Sequence, residues 1–190
     1  MQRFQLRMEN ASAPDLPAPP LPDGYLLRNF RRGDESQLAA IYAECGFGAS
    51  SAVGVSAVVL QDPRFSSGRM FNLEHKGSVV GTVLAWCELD DPGHGYIHML
   101  GVLPEHRGKS LGRALALTAI ARSAREGYHV HRLFTDDHRV EAIRLYHDLN
   151  YVPLVVHESH WERWEALARQ LDCEDLLAHA HTAELQRLSI

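Results

Sequence analysis

One segment limits the folds open to this chain more than any other. Val102-Leu103-Pro104-Glu105-His106-Arg107-Gly108-Lys109-Ser110-Leu111-Gly112-Arg113-Ala114-Leu115 reads as a strand end, a short polar turn and a helix start. The first turn of a helix exposes N–H groups without intrahelical partners and carries partial positive charge, so it receives anions. Gly108 and Gly112 let the backbone come close to a ligand. Arg107, Lys109 and Arg113 concentrate positive charge in a chain whose formal net charge is −5. This is the chemistry of a pyrophosphate site; a solvated basic turn capping an ordinary helix is the alternative that the loop by itself leaves open. Gly108-Lys109-Ser110 does not complete a nucleoside-triphosphate loop, because that motif needs a glycine where Leu103 stands. No Gly-x-Gly precedes the helix, so a dinucleotide fingerprint fails as well.

The rest of the chain reads as one mixed α/β domain. Its 190 residues, 45% hydrophobic and 23% charged, suffice for one core without disulfides or a structural metal. Residues 1–23 contain Pro14, Pro17, Pro19, Pro20 and Pro22 and read as a Pro-rich N-terminal tail. Residues 24–190 then form the domain, with 157–190 as a C-terminal helical extension. Tyr25–Phe30 is the first expected strand. Asp34 is placed to cap a helix carrying Leu38, Ile41, Tyr42 and Cys45, which Gly46 closes. Ala49–Gln61 is a second helix or a loop. Met70–His75 and Val79–Cys87 flank the hairpin signal Lys76-Gly77-Ser78. Asp90-Asp91-Pro92-Gly93 is a turn before a strand over Tyr96–Val102. Then follow a helix over Leu111–Arg125, a strand over His131–Thr135, a helix over Arg139–Leu149 with Asn150 at its left-handed end, and a strand over Tyr151–Val156. His160–Leu171 and Asp175–Leu188 read as one or two terminal helices, packed onto the domain by Trp161 and Trp164.

Composition also limits partners. Asp plus Glu outnumber Lys plus Arg by 24 to 19, which argues against coating nucleic acid or an anionic membrane. No apolar stretch approaches the ~20 residues of a membrane span, and Met1–Asn10 lacks the apolar run of a signal peptide. Cys45, Cys87 and Cys173 have no metal register and read as free thiols in a reducing, cytoplasmic setting. The histidine pairs His129/His131, His157/His160 and His179/His181 have no completing ligand set, so no metal is expected.

Two segments together resemble the GNAT superfamily of N-acyltransferases. Arg107-Gly108-Lys109-Ser110-Leu111-Gly112 is similar to its acetyl-CoA signature Q/R-x-x-G-x-G/A, with Ser110 in place of the first glycine. Serine keeps its N–H. A negative φ there leaves the cradle intact, and a positive φ stores strain. Ala142-Ile143-Arg144-Leu145-Tyr146, followed by Leu149-Asn150-Tyr151, resembles the family's A-I-x-L-Y-x-x-x-G-F helix end. The resemblance covers roughly residues 24–156. It implies a twisted mixed β-sheet flanked by helices. The helix carrying Tyr146 and the terminal helices are similar to those of mycothiol-synthase-like members.

The resemblance further implies acetyl transfer from acetyl-CoA to a primary amine of a small molecule or peptide, by direct attack. Leu100, Gly101 and Val102 would pair with pantetheine. Arg107, Gly108, Lys109, Ser110, Leu111, Gly112 and Arg113 would hold the pyrophosphate. Arg139, where many members carry asparagine, would contact a phosphate. Tyr146 matches the general acid, since a phenol of pKa near 10 stays protonated at neutral pH. His98 is the candidate general base, with Glu88 and Asp90 able to act through water. Asp62, Glu88, Asp90 and Asp91 would suit a cationic acceptor. A different acyl-CoA, an oxygen acceptor, or a CoA-binding sensor without turnover are the alternatives. Two copies could associate through the C-terminal helices.

Overall fold

The computed structural model describes residues 4–11, 17–88 and 90–182. In chain order its elements are β1 (Leu6–Asn10), β2 (Tyr25–Asn29), α1 (Glu35–Glu44), α2 (Ala52–Val55), β3 (Met70–His75), β4 (Ser78–Glu88), β5 (Asp91–Val102), α3 (Leu111–Arg125), β6 (Val130–Thr135), α4 (Val140–His147), β7 (Val152–Val155), α5 (Ser159–Leu171) and β8 (His181–Thr182). A π-helical turn, Ser56–Leu60, continues α2, and 3₁₀ turns lie at Ser67–Arg69, Pro104–His106 and Glu174–Leu177. The chain divides into two compact units, Asp15–His129 and Met1–Pro14 with Val130–Ile190.

In the unit spanning Asp15–His129, β2, β3, β4 and β5 are neighbours in that order, each antiparallel to the next. Lys76 and Gly77 both have positive φ, 51° and 80°, which gives the tight turn joining β3 to β4 the twist that flanking strands require. Leu38, Ile41 and Tyr42 on α1 are fully buried and join Val55, Val59, Met70, Leu84 and Trp86 in one apolar cluster. The apolar face of α3, with Leu111, Leu115 and Ile120, packs on β4 and β5.

Asp34 stands at the N-cap position of α1, but its side chain makes no capping bond. Its carboxylate instead accepts two bonds from the Arg28 guanidinium (2.8 and 2.9 Å), one from the Arg31 N–H (2.9 Å) and one from Asn72 Nδ2 (3.0 Å). Thr82 Oγ1 donates to Asn72 Oδ1 (2.8 Å), and Arg28 Nε donates to Glu74 (2.6 Å). A polar chain thus crosses from α1 over β2, β3 and β4. Burial pushes the Asp34 carboxyl up, but its bonds to Arg28 and Arg31 outweigh that and hold its pKa below the usual value.

In the other unit, β1 lies between β6 and β7 and is antiparallel to both, while β7 and β8 are parallel. This corrects the tail boundary: Leu6–Asn10 is an inner strand, with Leu6, Met8 and Asn10 buried. The prolines that suggested a tail begin only at Pro14, after the strand has ended. The C-terminal extension also differs. After α5 comes a single 3₁₀ turn and then β8, where further helix was expected; residues 183–188 of that expectation lie outside the described residues. Trp164 on α5 is fully buried, whereas Trp161 is 41% exposed, so only the former packs the helix. The turn read at residues 90–93 is shorter than expected, because β5 already begins at Asp91 and pairs with Glu88.

Candidate active site

The strand–turn–helix segment has the form its sequence implies. At the end of β5, the Leu103 N–H donates to the Val80 carbonyl (2.9 Å). The chain then turns through Pro104–His106, and Arg107 Nε donates back to the Val102 carbonyl (2.9 Å), fixing the guanidinium beside the strand end. Lys109 Nζ donates to the Glu105 carbonyl (3.2 Å). Gly108 has φ +74°, and a Cβ there would meet nothing within 4 Å, so backbone conformation rather than space calls for glycine. Ser110 has φ +57° and ψ 14°, a left-handed serine at the helix start, and its side chain makes no capping bond.

Arg107, Gly108, Lys109 and Ser110 are exposed, while Leu111 is buried and anchors the first turn of α3. Intrahelical bonding begins with the Ala114 N–H donating to the Ser110 carbonyl (3.0 Å). The N–H groups of Leu111, Gly112 and Arg113 therefore open toward the helix end, as in any first turn. No acidic residue occupies that turn. The helix dipole, Arg107, Lys109 and Arg113 all place positive charge at this end of the helix.

Just before the segment, β5 carries a bulge. Leu84 pairs with His98, and Thr82 pairs with Gly101, so Met99 and Leu100 together oppose Val83. Met99 takes φ +50° to make this possible. The bulge at Met99 and Leu100 comes directly before Gly101 and Val102; Leu100, Gly101 and Val102 are the residues expected to meet pantetheine. Gly101 has a second constraint: a Cβ on it would stand 2.8 Å from Cys45 Sγ and 3.1 Å from Ile41 Cγ2, both near the end of α1.

His98 lies beside the bulge and stacks on Trp86 with ring centroids 5.1 Å apart. The Arg64 guanidinium covers the same indole, 4.8 Å from the ring centroid. Arg64 is held by two bonds to Asp62 (2.8 and 2.7 Å) and a short bond to Glu88. Burial, with the Arg64 charge adding to it, lowers His98 to about 4; Asp62 opposes weakly. The imidazole is therefore neutral at pH 7 but a weak base. Burial raises the Glu88 pKa, against the pull of Arg64, and Asp62 is held at about 2 by its bond to Arg64. Nearby, Asp91 accepts a short bond from the Tyr96 hydroxyl and pairs with His94. Sequence reading missed Arg64 and Trp86. They lie 22 positions apart with no motif between them, and only β4 and the turn after the π-helical segment bring them together.

The remaining expected site residues, Tyr146 and Arg139, belong to the other unit. Tyr146 is buried on α4, and burial pushes its phenol up to about 12, with the Arg139 charge opposing. Its carbonyl accepts bonds from Leu149 and Tyr151 (3.0 Å each), closing the helix over Asn150, which has φ +63°. Arg139 precedes α4 and its Nε donates to Asp136 (3.1 Å).

Comparison with known proteins places these features in a family. Residues 36–151 match the family described as Acetyltransferase (GNAT) family. The chain belongs to that family, whose members use acetyl-CoA. It is 34% identical over 155 residues to a mycothiol acetyltransferase of Thermobispora bispora, covering 76% of this chain and 52% of that protein. It is 32% identical over 177 residues to one of Frankia casuarinae, covering 84% and 51%. The chain thus spans about half the length of the curated relatives it matches. Among solved structures, a GCN5-related N-acetyltransferase from Sphaerobacter thermophilus shares the fold with a TM-score of 0.60 at 24% identity, covering 80% of this chain and 49% of that one. The ribosomal-protein-S18-alanine N-acetyltransferase of Escherichia coli does so with a TM-score of 0.54 at 20% identity, covering 66% and 76%. Among the described residues, no helix is long and apolar enough to cross a membrane.

Proposed function

We propose that this chain moves an acetyl group from acetyl-CoA to a primary amine by direct attack. The observation that carries this reading is the exposed, basic N-terminus of α3, set directly behind a bulged strand. The N–H groups of Leu111, Gly112 and Arg113 and the side chains of Arg107, Lys109 and Arg113 suit a pyrophosphate, and the bare Gly108 and small Ser110 leave it room. Leu100, Gly101 and Val102 offer backbone groups to pantetheine. Arg139 adds charge for a phosphate.

The acyl donor supplies an already activated thioester, so few protein groups are required. Tyr146 stays protonated well above neutral pH and donates its proton to the leaving sulfur. The incoming amine must be neutral to attack. His98, uncharged at pH 7, accepts a hydrogen bond from it and orients it, while its low pKa makes it a poor final proton store. Glu88, with its raised pKa, takes the proton through water. Asp62 and Glu88 share one guanidinium, so one negative charge remains to attract a cationic acceptor.

The names of the relatives favour a mycothiol-type amine as the acceptor. A second reading, a CoA sensor without turnover, draws on the left-handed Ser110 and on the bond between Arg139 and Asp136. Calorimetric titration with acetyl-CoA, CoA and ATP, followed by thiol release with an amine panel that includes a mycothiol-type acceptor, separates the two. Acetyl-CoA binding with turnover supports the enzyme. Binding without turnover on any amine supports the sensor, and no binding of either CoA form overturns both.

A further inference from the structure

The unit that carries α4 brings three metal-ligating side chains together where the reaction has no use for them. His147 ends α4, Cys173 follows α5, and Asp175 lies in the Glu174–Leu177 turn. His147 Nε2 lies 4.0 Å from Cys173 Sγ and 3.8 Å from Asp175 Oδ1, and Cys173 Sγ lies 3.1 Å from Asp175 Oδ1. A tetrahedral ion with bonds of about 2.0–2.3 Å holds nitrogen, oxygen and sulfur donors roughly 3.3–3.6 Å apart. The observed triangle brackets those edges, so small rotations of the side chains would close it on one ion.

Side-chain and backbone contacts fix the three positions without any ion. Arg144 Nη2 donates to the Leu171 carbonyl (2.9 Å), tying α4 to the end of α5. Asp172 takes φ +51° to stop α5, and the Cys173 N–H then donates to the Ala168 carbonyl (3.0 Å). Leu176, fully buried, pins the turn that presents Asp175. Two segments separated by 26 positions are thereby held with their donor atoms facing each other. That separation is why the sequence shows no metal register.

We propose that His147, Cys173 and Asp175 form a binding site for a borderline-soft divalent cation, zinc foremost, with water at the fourth position. The donor set of one sulfur, one nitrogen and one oxygen disfavours calcium and magnesium, which take oxygen ligands. In the free protein the Cys173 thiol donates to the Asp175 carboxylate. Binding replaces that proton by the metal ion and releases it to solvent, leaving a metal-bound thiolate. Burial and the Asp175 carboxylate hold the Cys173 thiol above its ordinary pKa, with Arg144 opposing, so the ion has to displace this proton. The ion would clip the C-terminal end of α4 to the chain that follows α5, next to Tyr146 in sequence but independent of the acetyl-transfer assignment.

Cobalt(II) titration of the full chain tests this. The expected result is one ion per chain, with a sulfur-to-cobalt charge-transfer band and the strong visible bands of tetrahedral coordination, both displaced by zinc. A variant with Cys45→Ser and Cys87→Ser should keep the charge-transfer band, and Cys173→Ser should lose it while retaining the wild-type circular dichroism spectrum. His147→Gln and Asp175→Asn should each weaken cobalt binding by more than about tenfold. Because any of these variants could fold poorly, the wild type supplies a second readout: zinc should raise its Tm, and a chelator should reverse the rise. No charge-transfer band at one equivalent of cobalt, or a band that survives Cys173→Ser, overturns the proposal.

Discussion

Gly101 on β5 and Cys45 at the end of α1 approach so closely that a Cβ on the glycine would stand 2.8 Å from the thiol sulfur. A methyl group cannot occupy that space unless the side chains of Cys45, Ile41 and Phe47, or the end of α1 and the chain just after it, shift. Gly101→Ala should therefore cost about 1–3 kcal/mol, the usual range for overpacking, read as a lower midpoint in urea. Cys45→Ala in the same background should recover part of the loss, because it removes the nearest of three obstacles, the others being Ile41 Cγ2 at 3.1 Å and Phe47 Cε2 at 3.2 Å. A Gly101→Ala variant as stable as the wild type would show that the end of α1 yields freely.

Asp34 supplies the second prediction. Removing its carboxylate leaves the Arg28 guanidinium, whose side chain is 10% exposed, without its bidentate partner. Asp34→Ala should destabilise the fold by about 3–5 kcal/mol, measured by denaturant unfolding. A loss of about 1 kcal/mol, the usual cost of an N-cap, would mean that the position serves only the helix end.

Ser110 holds a left-handed conformation that a glycine adopts freely. Ser110→Gly should gain about 0.5–1 kcal/mol of stability, the relief of strain less the added freedom of the unfolded chain. It should also bind acetyl-CoA at least as tightly as the wild type. Ser110→Val, β-branched at φ +57°, should lose both stability and affinity. Calorimetry of the three proteins settles the order.

Tyr146→Phe should lower turnover by about 10²-fold, the lower end of general acid catalysis, with acetyl-CoA affinity nearly unchanged. Single-turnover thiol release on the best acceptor is the measurement. Unaltered turnover removes the phenol from the acid role and leaves it as a buried helix residue.

Acid should weaken the fold through its histidines. His160 is fully buried, and burial, with the Arg163 charge adding to it, holds its pKa at about 4, against about 6.5 in an unfolded chain. Below pH 6.5 the unfolded state binds the proton and the folded state does not, so stability falls as pH drops from about 6.5 to about 4. The full loss from this group is on the order of 3 kcal/mol. His160→Leu should flatten that limb in urea midpoints taken across the range. By the same sign, His98 should produce no titration of kcat/KM near pH 6.5, since it ionises near 4.

The elements that sequence reading located best are those whose boundaries are chemical. Leu111–Arg125 is helical from end to end, because the strand before it stops at the Pro104 turn and Gly127 follows it. Lys76-Gly77 and Asn150 sit at positive φ, where turn chemistry places them. β1 escaped because five residues followed by prolines resemble a tail until their partners, more than a hundred positions away, are known. Asp34 was legible as a helix start, but its bonds to Arg28 and Asn72 depend on β2 and β3 being paired. The Trp86–Arg64–His98 stack and the His147–Cys173–Asp175 cluster share that reason: tertiary proximity leaves no local spacing to read.

The placement of β1 also bears on how the molecule is made. Leu6 pairs with Thr135, and Arg7 pairs with Leu154. A ribosome synthesises β1 before both neighbouring strands, which come from Val130 onward. The strand, with its buried Leu6 and Met8, must wait unpaired while more than a hundred further residues are added, and Asp15–His129 can close its own strands meanwhile. Such long-range pairing is slow, and the waiting segment exposes apolar side chains to other nascent chains. Vectorial synthesis therefore gives the two units different histories, and the unit containing β1 is the one whose yield should depend on chaperones that shield a strand made before its partners.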